Sequence, residues 1–157
     1  MLDATMAAKT TKKNRILIAD DNQPNRELLE AMLADLDCEI AVAVDGQDTL
    51  QKVKTFQPDL ILLDVMMPRL SGFEVCQKLK SDPATTKIMI LMVTALNEQG
   101  DIERGVKVGT NDFLSKPVNK YELLKRVETM LLVKDLSDEN ERLRQYILKM
   151  EESGPKR

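Results

Sequence analysis

The stretch Asp59-Leu-Ile-Leu-Leu-Asp64-Val-Met-Met-Pro68-Arg-Leu-Ser-Gly72 constrains the fold of this chain most. Leu60 to Leu63 form a short apolar run, the length of a strand buried on both faces, and the run ends on a carboxylate. Pro68 and Gly72 then force a loop before the next amphipathic segment. An acid at such a junction sits where parallel α/β sheets gather their reactive residues. Asp64 is therefore the first candidate functional residue.

The same layout recurs along the chain. Arg15 to Ala19 is an apolar run closing on Asp20 and Asp21, followed by Asn22 as a helix N-cap and Pro24 in the first turn. Leu28, Leu29, Met32, Leu33 and Leu36 then recur at helical spacing. Cys38 to Val44 reads as a second strand and Gly46 to Phe56 as a helix ended by Pro58. After the Asp64 strand, Phe73, Val75, Cys76 and Leu79 fit a third helix, which Ser81-Asp82-Pro83 stops. Lys87 to Thr94 is a fourth buried strand, ending on a hydroxyl. Residues 97–108 make a weak helix, because Gly100 and Gly105 each cost about 1 kcal/mol relative to Ala. Asp112 to Lys116 is a short fifth strand ending on a lysine before Pro117. Asn119 with Glu122 starts the next helix in the manner of a capping box. Strands alternating with helices, without a hairpin signal, predict a doubly wound five-stranded parallel sheet over residues 14–133.

Composition narrows the chemistry. The 157 residues include no histidine, which excludes Ser-His-Asp or Cys-His catalysis and histidine metal sites. Cys38 and Cys76 match no metal or redox spacing and read as small buried hydrophobes kept reduced. A net charge of −3 argues against a surface built for polyanions. No apolar run reaches membrane-spanning length and no signal-peptide layout is present, so a cytoplasmic location without membrane contact is expected.

In a parallel sheet the strand ends share one edge, so Asp20, Asp21, Asp64, Thr94 and Lys116 converge there. Three carboxylates together raise each other's pKa unless a cation neutralises them. With oxygen ligands alone, Mg²⁺ is the natural ion, since it accepts one or two carboxylates and keeps several waters. A lysine and a hydroxyl beside that site suit a phosphoryl group, with Asp64 as the nucleophile that forms an aspartyl phosphate.

The segments Ile-Leu-Ile-Ala-Asp20-Asp21-Asn, Leu-Asp64-Val-Met-Met-Pro68-Arg-Leu-Ser-Gly72, Val-Thr94-Ala95 and Lys116-Pro117 closely resemble the receiver domain of bacterial two-component response regulators. The resemblance implies a flavodoxin-like fold and a phosphoacceptor switch rather than an enzyme. It also implies that Asp64 takes phosphate from a sensor histidine kinase or a histidine phosphotransfer protein. Asp21 and Asp64, with the Met66 backbone carbonyl, would bind Mg²⁺, and Asp20 would act through water. Thr94 and Lys116 would bond the phosphoryl group, Ala95 would leave access to it, and Pro117 would follow a cis peptide. Phe113 stands at the position of the family's switch aromatic. Residues 97–108 are expected to be the bistable element that responds to Thr94. The apolar Met66 and Leu96 flank the site and offer no group to orient an attacking water, so a persistent phosphoryl state is expected.

Residues 1–13 read as a flexible arm and 153–157 as a disordered end. From Val133 the apolar period changes to that of a heptad seam: Val133, Leu136, Asn140, Leu143, Ile147 and Met150. The final helix would run unbroken from 119 to 150, about 45 Å at 1.5 Å per residue. Residues 134–152 are expected to be a short dimerising coiled coil that makes a homodimer, with an exposed, fraying helix or a cut linker as the alternative. No helix-turn-helix or zinc finger follows, so direct DNA binding is not expected, and the end within a helical seam suits a fragment of a longer regulator. Two other readings share the same residues. A Mg²⁺-dependent aspartyl-nucleophile phosphatase would need a second acid at the position of Met66. A coiled-coil adaptor with a degenerate receiver would not need the acid cluster.

Overall fold

The computed structural model describes residues 13–95, 99–134 and 139–153, with backbone only for Gln99, Glu139 and Ser153. Residues 1–12 of the predicted arm, Leu96, Leu136 and residues 154–157 lie outside that range. Eleven elements follow one another: β1 (Asn14–Ala19), α1 (Gln23–Leu33), β2 (Cys38–Ala43), α2 (Gly46–Phe56), β3 (Leu60–Leu63), α3 (Gly72–Lys80), β4 (Met89–Thr94), α4 (Gln99–Val108), β5 (Asp112–Ser115), α5 (Lys120–Val133) and α6 (Glu139–Ser153).

All strand pairs are parallel, in the order β2-β1-β3-β4-β5. The expected doubly wound α/β sheet is therefore the observed fold. β3 and β4 are buried along their whole length, which is why their sequences are continuous apolar runs without alternation. Each fully buried Leu or Ile in them contributes roughly 1.5–3 kcal/mol. Alternate residues feed two cores. Ile16, Ile18, Leu60, Leu62 and Leu91 face Leu29 and Leu33 of α1 and Leu123, Val127 and Met130 of α5. Leu17, Ile61, Leu63, Ile90 and Met92 face Val53 of α2 and Phe73, Val75, Cys76 and Leu79 of α3.

The helix starts are capped by the residues the sequence offers. Asn22 and Asp45 accept hydrogen bonds from the amides of Asn25 and Asp48, at 2.9 and 2.7 Å. Asn119 likewise caps α5, while the full reciprocal capping box forms at Ser71 and Glu74. Both cysteines are free thiols, Cys76 buried and Cys38 half-buried.

Two expectations about the C-terminal part are corrected. The helix does not run unbroken from 119 to 150, because α6 folds back against α5 and reaches β4 and β5. Arg142 donates to the Lys87 carbonyl at 3.1 Å, and Tyr146 packs against the core and donates to Asp112. A straight helix would carry Tyr146 about 30 Å beyond Arg126, which bonds the same Asp112 carboxylate. Val133 is also not on an outward seam, being 1% exposed within the α1/α5 core. Burial against the sheet outweighs its heptad position. Asn140, Leu143 and Ile147 do face outward, and Met150 is half-buried.

Candidate functional site

The strand order reverses between β1 and β3, and Asp20, Asp21 and Asp64 follow the ends of those two strands. That is the topological switch point, where the carboxyl ends of parallel strands leave a crevice. The backbone fixes the acids directly. The Asp64 amide donates to the Ala19 carbonyl at 2.9 Å and the Asp20 amide to the Ala43 carbonyl at 3.2 Å. Gly72 closes the loop after β3, because a Cβ there would come within 2.3 Å of the Asp64 carbonyl oxygen.

Carboxylate oxygens of Asp20, Asp21 and Asp64 all lie within 4.8 Å of one another. Asp20 and Asp64 are buried, whereas Asp21 is exposed at the mouth. Lys116, just past the end of β5, reaches across to Asp20 at 2.9 Å and Asp64 at 3.3 Å. Its position follows from β5 pairing with β4, which leaves the Lys116 amide 3.0 Å from the Thr94 carbonyl. The other Asp20 oxygen accepts from the Asn22 amide at 2.9 Å, and the Met66 amide donates to Asp64 at 3.2 Å. Thr94 is buried at the end of β4, Ala95 beside it is exposed, and the Lys116–Pro117 peptide is cis.

Burial pushes the Asp64 carboxyl above its ordinary value. Lys116 opposes that shift, and the neighbouring Asp20 charge adds to it. Burial alone would lower the Lys116 ammonium, but its hydrogen bond to Asp20 and the charges of Asp64 and Asp20 outweigh this and raise it. One lysine against three carboxylates leaves net negative charge in a donor set made wholly of oxygen. These residues fit a hard divalent cation such as Mg²⁺.

Phe113 is half-buried on the α2/α3 side of β5, with its ring against Gly105 of α4. Sequence reasoning missed Arg26, whose guanidinium donates to the Asp20 carbonyl at 2.8 Å and ties the first turn of α1 to the end of β1. It also missed the pair of Asp112 on β5 and Arg126 on α5, and Tyr146, which joins them because α6 turns back. An arginine in a first helical turn carries no distinctive spacing, and no local pattern reports that reversal.

An acidic crevice at the switch point of a five-stranded parallel sheet, with a hydroxyl and a lysine on the next two strand ends, defines a class of signalling domain. The chain belongs to the response regulator receiver domain family, whose model matches residues 16–128. Response regulator PleD of Caulobacter vibrioides is 44% identical over 125 residues, covering 80% of this chain and 28% of that protein. The DNA-binding dual master transcriptional regulator RpaA of Synechocystis is 40% identical over 117 residues, covering 74% of this chain and 48% of that protein. The chain thus spans between about a quarter and a half of the length of these relatives. Among solved structures, chemotaxis protein CheY4 of Vibrio cholerae superposes with a TM-score of 0.71 at 29% identity, over 76% of this chain and 99% of that one. The receiver domain of the Francisella response regulator 1452 gives 0.69 at 27% identity, over 75% and 96%. Among the described residues no helix is long and apolar enough to cross a membrane.

Proposed function

We propose that this chain is a phosphorylation-operated switch in which Asp64 accepts a phosphoryl group from the phosphohistidine of a sensor histidine kinase or a histidine phosphotransfer protein. An Asp64 carboxylate oxygen attacks phosphorus, the N–P bond of the donor breaks, and the donor imidazole leaves with the electron pair. Having no histidine, the chain depends on such a partner. The observation that carries the reading is the meeting of Asp20, Asp21 and Asp64 within 4.8 Å, with Lys116 on two of them.

Asp21, Asp64 and the Met66 carbonyl would hold Mg²⁺, with Asp20 acting through water. The ion, when bound, neutralises charge building on the transferring oxygens. Lys116 pairs with the phosphoryl group once Asp64 carries it as an acyl phosphate, and Thr94 turns toward it. Ala95 leaves the approach open, and Phe113 carries the change to the α4 side. The chain acts as a switch in the cytoplasm and turns over no substrate beyond its own acyl phosphate. Leu143 and Ile147, 57% and 47% exposed on the outer face of α6, support pairing of two copies there and make the output a contact between proteins.

The test is incubation with Mg²⁺ and acetyl phosphate, followed by intact mass. One phosphoryl group should be added to the chain and none to Asp64→Asn. No addition, or steady turnover of general phosphate esters, would overturn the reading.

A further inference from the structure

Helix α6 shows two different faces. Arg142, Gln145, Tyr146 and Lys149, at helical spacing, are half-buried toward the domain, while Leu143, Arg144, Ile147 and Leu148 point away from it. The inner face grips the first residues of two strands. Arg142 bonds the Lys87 carbonyl and lies against the Met89 sulfur at the start of β4. Tyr146 donates to Asp112, the first residue of β5, on the same carboxylate oxygen that Arg126 of α5 engages. The other Asp112 oxygen accepts the amide of Phe113 at 2.8 Å.

These are the two strands whose far ends carry Thr94 and Lys116. β4 and β5 are six and four residues long, so grip and site are separated by roughly 13–20 Å of extended chain at about 3.3 Å per residue. The middle of β5 holds Phe113, which leaves α4 no slack: a Cβ on Gly105 would lie 2.1 Å from the ring. A packed contact of that kind moves as a unit or not at all.

We infer that α6 is an intramolecular ligand of its own receiver domain, docked through Arg142 and Tyr146 on the starts of β4 and β5, and released when Asp64 is phosphorylated. The direction follows from the geometry. Two side chains from other elements, Arg126 of α5 and Tyr146 of α6, hold the Asp112 carboxylate in this state, so a displacement of β5 by Lys116 or Phe113 lengthens at least one of those bonds. Release frees the inner face of α6 and uncovers Asp112, Arg126 and Met89 together. The inference rests on the phosphoacceptor reading of Asp64. Linkage requires the reciprocal effect as well: a weaker dock must favour phosphorylation.

The experiment is hydrogen exchange on the full chain with Mg²⁺, with and without acetyl phosphate, with intact mass taken from the same samples. Amides 142–150 should exchange about tenfold faster in the phosphorylated sample, within the usual range of coupling between sites. Tyr146→Phe should give that faster exchange without phosphodonor and should reach a higher phosphorylated fraction. A phosphoryl adduct with unchanged exchange in 142–150 overturns the latch and leaves the phosphoacceptor reading intact. Absence of the adduct removes both.

Discussion

The ring of Phe113 occupies the space that Gly105 leaves empty: a Cβ built on Gly105 falls 2.1 Å from Cζ and 2.7 Å from Cε1 of that ring. This glycine weakens α4 as an isolated helix yet allows the helix to sit on β5. Gly105→Ala should therefore destabilise the domain, because overpacking costs about 1–3 kcal/mol and outweighs the roughly 1 kcal/mol gained in helix propensity. Gly100→Ala, with nothing within 4 Å of its Cβ, should be neutral or stabilising by up to about 1 kcal/mol. Urea midpoints at constant m-value separate the two, and equal midpoints would contradict the packing argument.

Lys116 is the cation shared by Asp20 and Asp64. Lys116→Met leaves two buried carboxylates facing each other, and breaking a fully buried pair costs roughly 3–5 kcal/mol. The lysine side chain is 21% exposed and the crevice opens at Asp21, so a loss of about 2–3 kcal/mol is expected without divalent ions. Mg²⁺ should recover more stability in this variant than in the parent, since it supplies the missing charge at the same oxygens. Thermal midpoints with and without Mg²⁺ measure both effects. An equal Mg²⁺ increment in the two proteins would argue against binding at Asp21 and Asp64.

Legibility in the sequence followed the range of the forces involved. Buried parallel strands announce themselves as the runs Leu60 to Leu63 and Lys87 to Thr94, and their ends locate Asp64 and Thr94. Parallel order then brings Asp20, Asp21 and Lys116 to the same edge, so most of the crevice was readable from pattern alone. The path of α6 was not. Residues 133–150 carry a heptad period that suits a free seam, but Val133 gains more by burial under the sheet. Tyr146 gains a carboxylate 34 residues away. Gly105 misled in a different way, because its purpose is visible only beside Phe113, the partner ring.

Met66 lies two residues after Asp64, is 63% exposed, and sits next to the carboxylate that its own amide orients. An apolar group there gives an attacking water nothing to bond. Met66→Asn should shorten the lifetime of the phosphoryl group, by about tenfold if one oriented hydrogen bond worth roughly 1.4 kcal/mol is gained in the transition state. Loss of the adduct after removal of phosphodonor, followed by intact mass, gives the rate. An unchanged rate would show that the position does not control hydrolysis.

Tyr146 makes the docking of α6 sensitive to alkaline pH. Burial pushes its phenol well above the ordinary tyrosine value of 10.0, and the charge of Asp112 and the hydrogen bond to it push the same way. Arg126 opposes the shift. The docked state thus holds a proton that the undocked helix releases, and the undocked helix titrates near 10. By linkage the contribution of Tyr146 to docking is complete below pH 10. It then falls by up to about 1.4 kcal/mol per pH unit above that value. In a Tyr121→Phe background, where Tyr146 is the remaining tyrosine, tyrosinate absorbance should rise with a midpoint above 10. Asp112→Asn removes the opposing charge and should bring that midpoint back toward 10. A midpoint of 10 in the parent background would mean that the phenol is not held against Asp112 in solution.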